Sequence, residues 1–376
     1  MTVLAGPRIV TPDGILDDGY VRVERGTIAA VGSGRPAGQV ETVDGAWIVP
    51  GFVDIHTHGG GGYTFTTGDA QQAKGVARFH LAHGTTTLLA SLVTSPPALM
   101  LAATRAYAPL VAKGVIAGIH FEGPYLSQPR CGAQNPAHLR SPSTDELSRL
   151  VEAGEGAVRM VTIAPELPRA LEAISLLATY GVVAAIGHTD ATYEQTLAGI
   201  AAGATVGTHV FNGMRPPHHR EPGPVVALLD SEGVTCEFIA DGVHLHDGML
   251  AFAARVTGPT RAALITDAMS AAGMPDGEYE LGGQCVTVAG GVVRLSAGGS
   301  IAGSTLTMDA AFRRAVNVGI GIEGAVRMAA TTPAAAIGLR DVGALEAGRR
   351  ADLVVLDDDL RVLRVMRAGT WILRLP

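Results

Sequence analysis

Cysteine is scarce in this chain: Cys131, Cys236 and Cys285 are the only three among 376 residues. An odd number without metal-type spacing excludes a disulfide framework and a cysteine-built zinc module, and fits a reducing compartment. Lysine is scarcer still, with Lys74 and Lys113 alone. There is no basic run and the formal net charge is −7, which argues against nucleic acid or an anionic membrane surface as partner. A phosphate-bearing substrate would have to be held by local groups. The opening MTVLAGPRIVTPDG has no basic segment followed by an apolar core, so no signal peptide is expected. The most apolar stretch, 98–119, is interrupted by Arg105, Pro109 and Lys113 and does not read as membrane-spanning. These absences together point to a soluble, cytoplasmic protein.

A hydrophobic content of 47% and 49 glycines suit a loop-rich, well-buried enzyme, and the length accommodates one large barrel plus a small accessory domain. Short β-branched runs at 48–55, 86–93, 115–121, 158–163, 182–186, 205–210, 235–239 and 262–265 alternate with longer helical patterns, such as 70–83, 144–153, 167–180 and 191–202. That alternation is the signature of βαβ units and a parallel sheet. Gly84, Gly154, Gly181 and Gly203 fall where those helices would stop. Eight strands are enough to close a barrel, so the expected fold is a (β/α)8 TIM-like barrel.

Barrel enzymes carry their chemistry at the carboxyl ends of the strands. His56 and His58 close the first apolar run in PGFVDIHTHGGGG. Residues two apart on a strand share a face, so both imidazoles can aim at one ion. Neutral imidazole is the commonest protein ligand for zinc and similar ions. Taken alone, the pair could equally be hydrogen-bonded punctuation. Recurrence decides: Glu122, His188, His209 and Asp267 each stand directly behind a later apolar run. Four imidazoles and two carboxylates on one rim suffice for two divalent ions, with a carboxylate left for proton transfer. The competing account needs a separate structural role for each of the six.

The stretches HFEGPYLSQPRCGAQNPAH (120–138), GHTDATYE (187–194), THVFNGMRPPHHREPG (208–223), IADGVHL (239–245), LITDAM (264–269) and SIAGSTLTMD (300–309) accompany PGFVDIHTHGGGG. In that order they resemble the amidohydrolase superfamily and, within it, the N-acetylglucosamine-6-phosphate deacetylase family. GALEAGRRADLVVLD (343–357) is similar to the superfamily's return to its accessory β domain. The resemblance implies a catalytic barrel over 50–344 and a small discontinuous β-sandwich from 1–49 and 345–376, to which strand-like runs at 20–25, 27–31, 351–356 and 362–373 would belong.

It also implies roles for residues. Glu122, His188 and His209 would bind the principal metal and His56 with His58 a second. The metal would be zinc by preference, one or two per subunit, with Fe2+, Mn2+ or Co2+ as alternatives. Many relatives bridge two metals with a carboxylated lysine, but both lysines here lie in helix-like segments, so Glu122 is the better bridge. Amide hydrolysis needs a nucleophile near neutral pH, a polarised carbonyl and a proton for the departing amine. Asp267 fits the proton role as general base and acid; the alternative is a carboxylate that only orients a metal-binding histidine.

The implied substrate is N-acetyl-D-glucosamine 6-phosphate, hydrolysed to glucosamine 6-phosphate and acetate. Asn212 and Gly213 would contact the phosphate through backbone groups, and Arg220 would supply a planar cation matched to phosphate geometry. Arg220 is implied to reach the neighbouring subunit's site in a homodimer, and is otherwise a solvated surface arginine. Ala133, Gln134, His244, Ile301, Ala302, Gly303 and Ser304 would line the pocket. Gln134 stands where some members have histidine, and His244 could instead be a hydrogen-bonded barrel histidine. Cys131, in the same loop as Gln134, would be an accessible thiol on a mobile lid. The remaining alternatives are an amidohydrolase for another N-acetyl amino sugar or a cyclic amide, and a barrel that binds without catalysing.

Overall fold

The computed structural model describes residues 2–34 and 40–372. Among them, eight parallel strands form one sheet in strict chain order. They are β1 (Phe52–Asp54), β2 (Thr85–Val93), β3 (Gly118–Glu122), β4 (Val158–Ile163), β5 (Val183–Ile186), β6 (Ala204–Gly207), β7 (Thr235–Ile239) and β8 (Ala262–Ile265). Each is followed by a helix: α1 (Ala70–Ala82), α2 (Pro97–Ala112), α3 (Thr144–Ala153), α4 (Ala170–Thr179), α5 (Tyr193–Ala201), α6 (Gly223–Asp230), α7 (Asp247–Thr257) and α8 (Met308–Asn317). The helices begin where the sequence offers a cap. Asp69 accepts from the amides of Gln71 and Gln72, Ser143 from Glu146, and Thr192 forms a reciprocal box with Gln195. Strand residues are buried almost throughout, because helices cover the outside and side chains fill the inside.

The ladder runs from β1 through to β8, and a buried side chain joins its two ends. Asp54, at the end of β1, accepts from Thr266 N at 3.3 Å and from Thr266 Oγ1 at 2.5 Å, just beyond β8. It also accepts from His56 N at 3.2 Å, and Asp267 N donates to His56 O at 2.9 Å. These contacts close the barrel at the point where His56 and Asp267 emerge.

The run 48–55, expected as a single strand, is two. Trp47–Pro50 pairs with Arg8–Thr11 and Leu353–Leu356, while β1 pairs with β2. Both halves are buried, so hydrophobicity alone does not mark the break. Gly51 does: a Cβ there would stand 2.3 Å from Thr86 Oγ1, and only glycine lets the backbone cross between sheets so close to β2.

Strands from the two ends of the chain build two sheets that share a second core. One orders Thr27–Ser33, Gly19–Glu24, Thr2–Ala5 and Val40–Thr42; the other orders Thr370–Trp371, Val362–Arg367, Leu353–Leu356, Trp47–Pro50, Arg8–Thr11 and Gly14–Leu16. Leu4, Val21 and Ile28 of the first pack with Ile9, Ile48, Leu353, Val355 and Met366 of the second. Both ends of the chain therefore meet in one separate sheet domain, whose sheet includes Trp47–Pro50. Residues 1, 35–39 and 373–376 of the expected small domain lie outside the described residues.

Between β8 and α8 the chain inserts a three-stranded antiparallel sheet, β9 (Gly277–Leu281), β10 (Gln284–Ala289) and β11 (Val292–Leu295). Leu281, Val286, Val288 and Val293 pack there with Val93, Met269 and Ala302. Among the described residues no helix is long and apolar enough to cross a membrane.

Asp54→Ala strips the buried donors around Thr266 of their acceptor, and each such group costs about 1–3 kcal/mol. The variant is expected to unfold at clearly lower denaturant, by about 3 kcal/mol in total, and equilibrium unfolding checks this.

Candidate active site

Three residues of the rim turn sharply as they leave their strands. His188, His209 and Asp267 hold φ of 47°, 26° and 49°, the left-handed region that non-glycine residues rarely adopt. Each such backbone costs on the order of 1–3 kcal/mol and persists only where its surroundings enforce it. The turn aims each side chain toward the barrel axis.

Glu122, the last residue of β3, lies at the centre and is 2% exposed. Its Oε1 is 3.0 Å from His188 Nε2 and 2.9 Å from His209 Nε2. Its Oε2 is 3.2 Å from His58 Nε2, and His56 Nε2 is 3.5 Å from Oε1. Asp267 Oδ1 stands 3.2 Å from His58 Nε2 and 3.6 Å from His56 Nε2. All six rim residues thus converge.

The far side of each imidazole fixes its tautomer. His188 Nδ1 donates to Arg130 O at 2.8 Å, His209 Nδ1 to Asn212 O at 3.1 Å and His58 Nδ1 to Ser91 O at 3.1 Å. His56 Nδ1 is 3.1 Å from Glu237 Oε2. Carbonyl and carboxylate oxygens only accept, so every Nδ1 carries the hydrogen and every Nε2 turns a lone pair inward. His56 Nε2 and His58 Nε2 then face each other at 3.2 Å, and two more Nε2 atoms face a carboxylate oxygen. Acceptors at such separations need a proton or a cation between them. Two donor sets fit a divalent ion: Glu122, His188 and His209, and His56, His58 and Glu122.

The electrostatics agree. Burial works to raise the Glu122 carboxyl, but His56, His188 and His209 outweigh it and hold it well below the usual carboxylate range. Burial works to lower the histidines, yet Asp267 and Glu122 push His58 up to about 9, and Glu122 with Glu237 pushes His56 well above its ordinary value. A divalent cation and a set of bound protons are thus alternatives at one place.

Beneath the rim lies a polar floor. Ser91 Oγ, His120, Thr162 and Thr208 follow one another at 2.9, 2.9 and 3.0 Å across β2, β3, β4 and the end of β6, and His120 packs edge-on to His56. Glu237, wholly buried on β7, accepts from His56 Nδ1 and from His209 N at 3.2 Å, tying the two donor sets together. Sequence reading missed Glu237; its signal is a lone carboxylate inside the apolar strand TCEFI.

Above the floor, a cavity of about 290 Å³ is lined by His58, Glu122, Ala133, Gln134, His188, His209, Asn212, Gly213, His244, Asp267, Ile301 and Gly303, all expected from sequence. Val93, Gly132, Leu281 and Ser300 complete it without having been singled out. Gly213 has φ +61, and a Cβ there would meet His188 Nδ1 at 2.7 Å. His244 Nδ1 bonds Asp241 Oδ2 at 2.7 Å, which overcomes burial and raises the imidazole.

Four expected residues are placed elsewhere. Ala302 is buried in the core of the inserted sheet rather than exposed to the cavity. Ser304 is buried beside it, its amide donating to Asp267 O at 2.7 Å and its hydroxyl to Thr266 O at 2.6 Å, so it holds the Asp267 turn from behind. Arg220 is exposed, within 2.8 Å of His219 Nε2, and is not in this chain's own cavity lining. Cys131 is half-buried next to Gly132 but is likewise not in the lining.

Glu237→Ala removes the acceptor that orients His56 and the His209 backbone. Loss of such an outer partner lowers metal affinity about 10–100-fold, and competition with a chelator on the folded variant measures it.

Comparison with known proteins gives this geometry a lineage. The amidohydrolase family model matches residues 47–372. An N-acetylgalactosamine-6-phosphate deacetylase of Escherichia coli O157:H7 is 38% identical over 98% of both chains. An N-acetylglucosamine-6-phosphate deacetylase of Lysinibacillus sphaericus is 35% identical over 93% of this chain and 92% of its own. Among solved structures, an aspartate-to-alanine variant of the Mycobacterium smegmatis N-acetyl-D-glucosamine-6-phosphate deacetylase, in complex with N-acetyl-D-glucosamine-6-phosphate, is 48% identical over 98% of both chains with a TM-score of 0.96. The chain belongs to the amidohydrolase family, and the relatives named above are, by their names, N-acetylgalactosamine- and N-acetylglucosamine-6-phosphate deacetylases.

Proposed function

We propose that this chain is a metal-dependent deacetylase that converts N-acetyl-D-glucosamine 6-phosphate to D-glucosamine 6-phosphate and acetate. The observation that carries this reading is the convergence of four imidazole Nε2 atoms and two carboxylates beneath one cavity. It occurs in a chain 48% identical to an enzyme of that name.

Glu122, His188 and His209 would hold one divalent cation, zinc by preference, and His56 and His58 with Glu122 a second. Such a cation lowers the pKa of water from about 15.7 to about 7 and polarises the acetyl oxygen. Asp267 takes the proton of the attacking water and returns it to the amide nitrogen as the tetrahedral adduct collapses. In the metal-free, protonated site, burial tends to raise its carboxyl, but His58 and His56 hold it below its ordinary value. His244, steadied by Asp241, offers its remaining ring nitrogen to the sugar or the acyl oxygen. Asn212 and Gly213 meet the phosphate end. Arg220 is exposed and not in its own chain's cavity lining, which suits a guanidinium that completes the site of a second copy, and we read the working form as a homodimer.

One observation favours a second substrate: the relative at 38% identity acts, by its name, on the galacto epimer. N-acetylgalactosamine 6-phosphate is therefore the alternative within the same reaction.

Asp267→Asn tests the mechanism, since asparagine tolerates the left-handed backbone and matches the volume. It is expected to keep its metal while acetate release falls by at least about a thousandfold, within the range general acid–base catalysis supplies. Turnover within tenfold of the parent would refute the role. Arg220→Ala is expected to raise KM for the phosphorylated sugar at least about tenfold, the loss of one charge-assisted contact, and to leave unphosphorylated N-acetylglucosamine unaffected. Equal effects on both sugars would remove Arg220 from phosphate binding.

A further inference from the structure

The two oxygens of Glu122 are in unequal surroundings, and Gln134 makes the difference. The Gln134 amide is fixed at both ends. Its Oε1 accepts from Thr94 N at 2.7 Å, a bond that only the oxygen can make, so Nε2 is the group that donates to Glu122 Oε2 at 2.6 Å. The residue is 4% exposed. Its loop is tied down as well. Gln284, opening β10, donates its side-chain amide to Ala133 O, while Leu281 on the other limb of that hairpin packs with Val93 at the end of β2.

Oε1 faces His188 and His209, with their Nε2 atoms at 3.0 and 2.9 Å, and His56 Nε2 stands farther from it at 3.5 Å. Oε2, the oxygen 3.2 Å from His58 Nε2, already accepts a short bond from Gln134. A carboxylate oxygen has two lone pairs, and a strong hydrogen bond to one of them draws charge from the other. It also sets a positive amide edge beside whatever approaches Oε2.

We propose that Gln134, held by Thr94 and by Gln284 through Ala133, makes the two cation sets unequal. The Glu122 Oε1, His188 and His209 set fills first and tightly; the His56, His58 and Oε2 set fills second and weakly. Gln134 is on this account a positioning residue for the metal centre besides lining the cavity, and the inserted β9–β11 sheet is part of that centre's support. The proposal rests on the metal-binding part of the proposed function and is independent of which sugar is the substrate.

The test is a zinc titration of the chelator-treated full chain by calorimetry, with the retained metal counted by elemental analysis, so that no activity is read. The parent protein should take up two equivalents in separate stages. Gln134→Leu, similar in volume and unable to donate, should narrow the ratio of the two dissociation constants by about tenfold, the scale of outer-shell changes at metal sites. Gln284→Leu leaves the Gln134 amide in place but frees its loop and should narrow the ratio part of the way; it decides the matter alone if the first variant does not fold. An unchanged or wider ratio in the variants, or two sets that fill together in the parent, overturns the proposal. Zinc retained by neither set in the parent protein overturns the metal reading itself, and this proposal with it.

Discussion

One carboxylate organises this protein's chemistry. Glu122 ends a buried strand with its two oxygens among four imidazole nitrogens, each of which is turned toward it by an acceptor on the opposite side of its ring. An arrangement of inward lone pairs around a buried anion is stable only with positive charge among them. Protons can supply that charge, and a divalent cation supplies it with a reaction attached. The acceptors that set the tautomers come from the backbone at Ser91, Arg130 and Asn212 and from Glu237, so barrel closure and metal affinity are aspects of the same packing.

The barrel supplies the means. A parallel strand buried on both faces presents its side chains inward only at alternate positions, and in this chain several of those positions are polar: Asp54, Ser91, His120, Thr162 and Glu237. They form a hydrogen-bonded floor where an ordinary barrel has apolar layers. Backbone strain at His188, His209 and Asp267 is tolerated because this floor and the loops above it leave each side chain a single direction. Asp54 joins the first strand to the last within two residues of His56 and of Asp267 through Thr266 and so fixes His56 relative to the Asp267 carboxylate.

Much of this was legible in the sequence where a polar residue stands directly behind an apolar run. His56, His58, Glu122, His188, His209 and Asp267 all follow that rule and all converge. The rule fails where both sides of a change are buried. The run 48–55 keeps its apolar character while passing from one sheet to another, and only the space required at Gly51 records the crossing. It fails again inside strands, because a lone Glu237 or Asp54 among apolar neighbours has no periodic mark to separate a ligand's partner from an occasional core carboxylate. Ser304 and Ala302 lie in a motif that does reach the cavity, through Ile301 and Gly303, but their own side chains turn into the packing behind Asp267 and into the inserted sheet. That insert, held together by its own small core, comes against the cavity only through long-range contacts such as Gln284 with Ala133, which no local pattern encodes.

The most direct measurement of the central claim is acetate release from N-acetylglucosamine 6-phosphate by the purified protein, before chelation, after it, and after zinc is restored, with N-acetylgalactosamine 6-phosphate in parallel. The account predicts activity that disappears with the metal and returns with it, and that is greater on the gluco sugar. Activity untouched by complete metal removal, or metal-loaded protein inert toward both sugars, would contradict it.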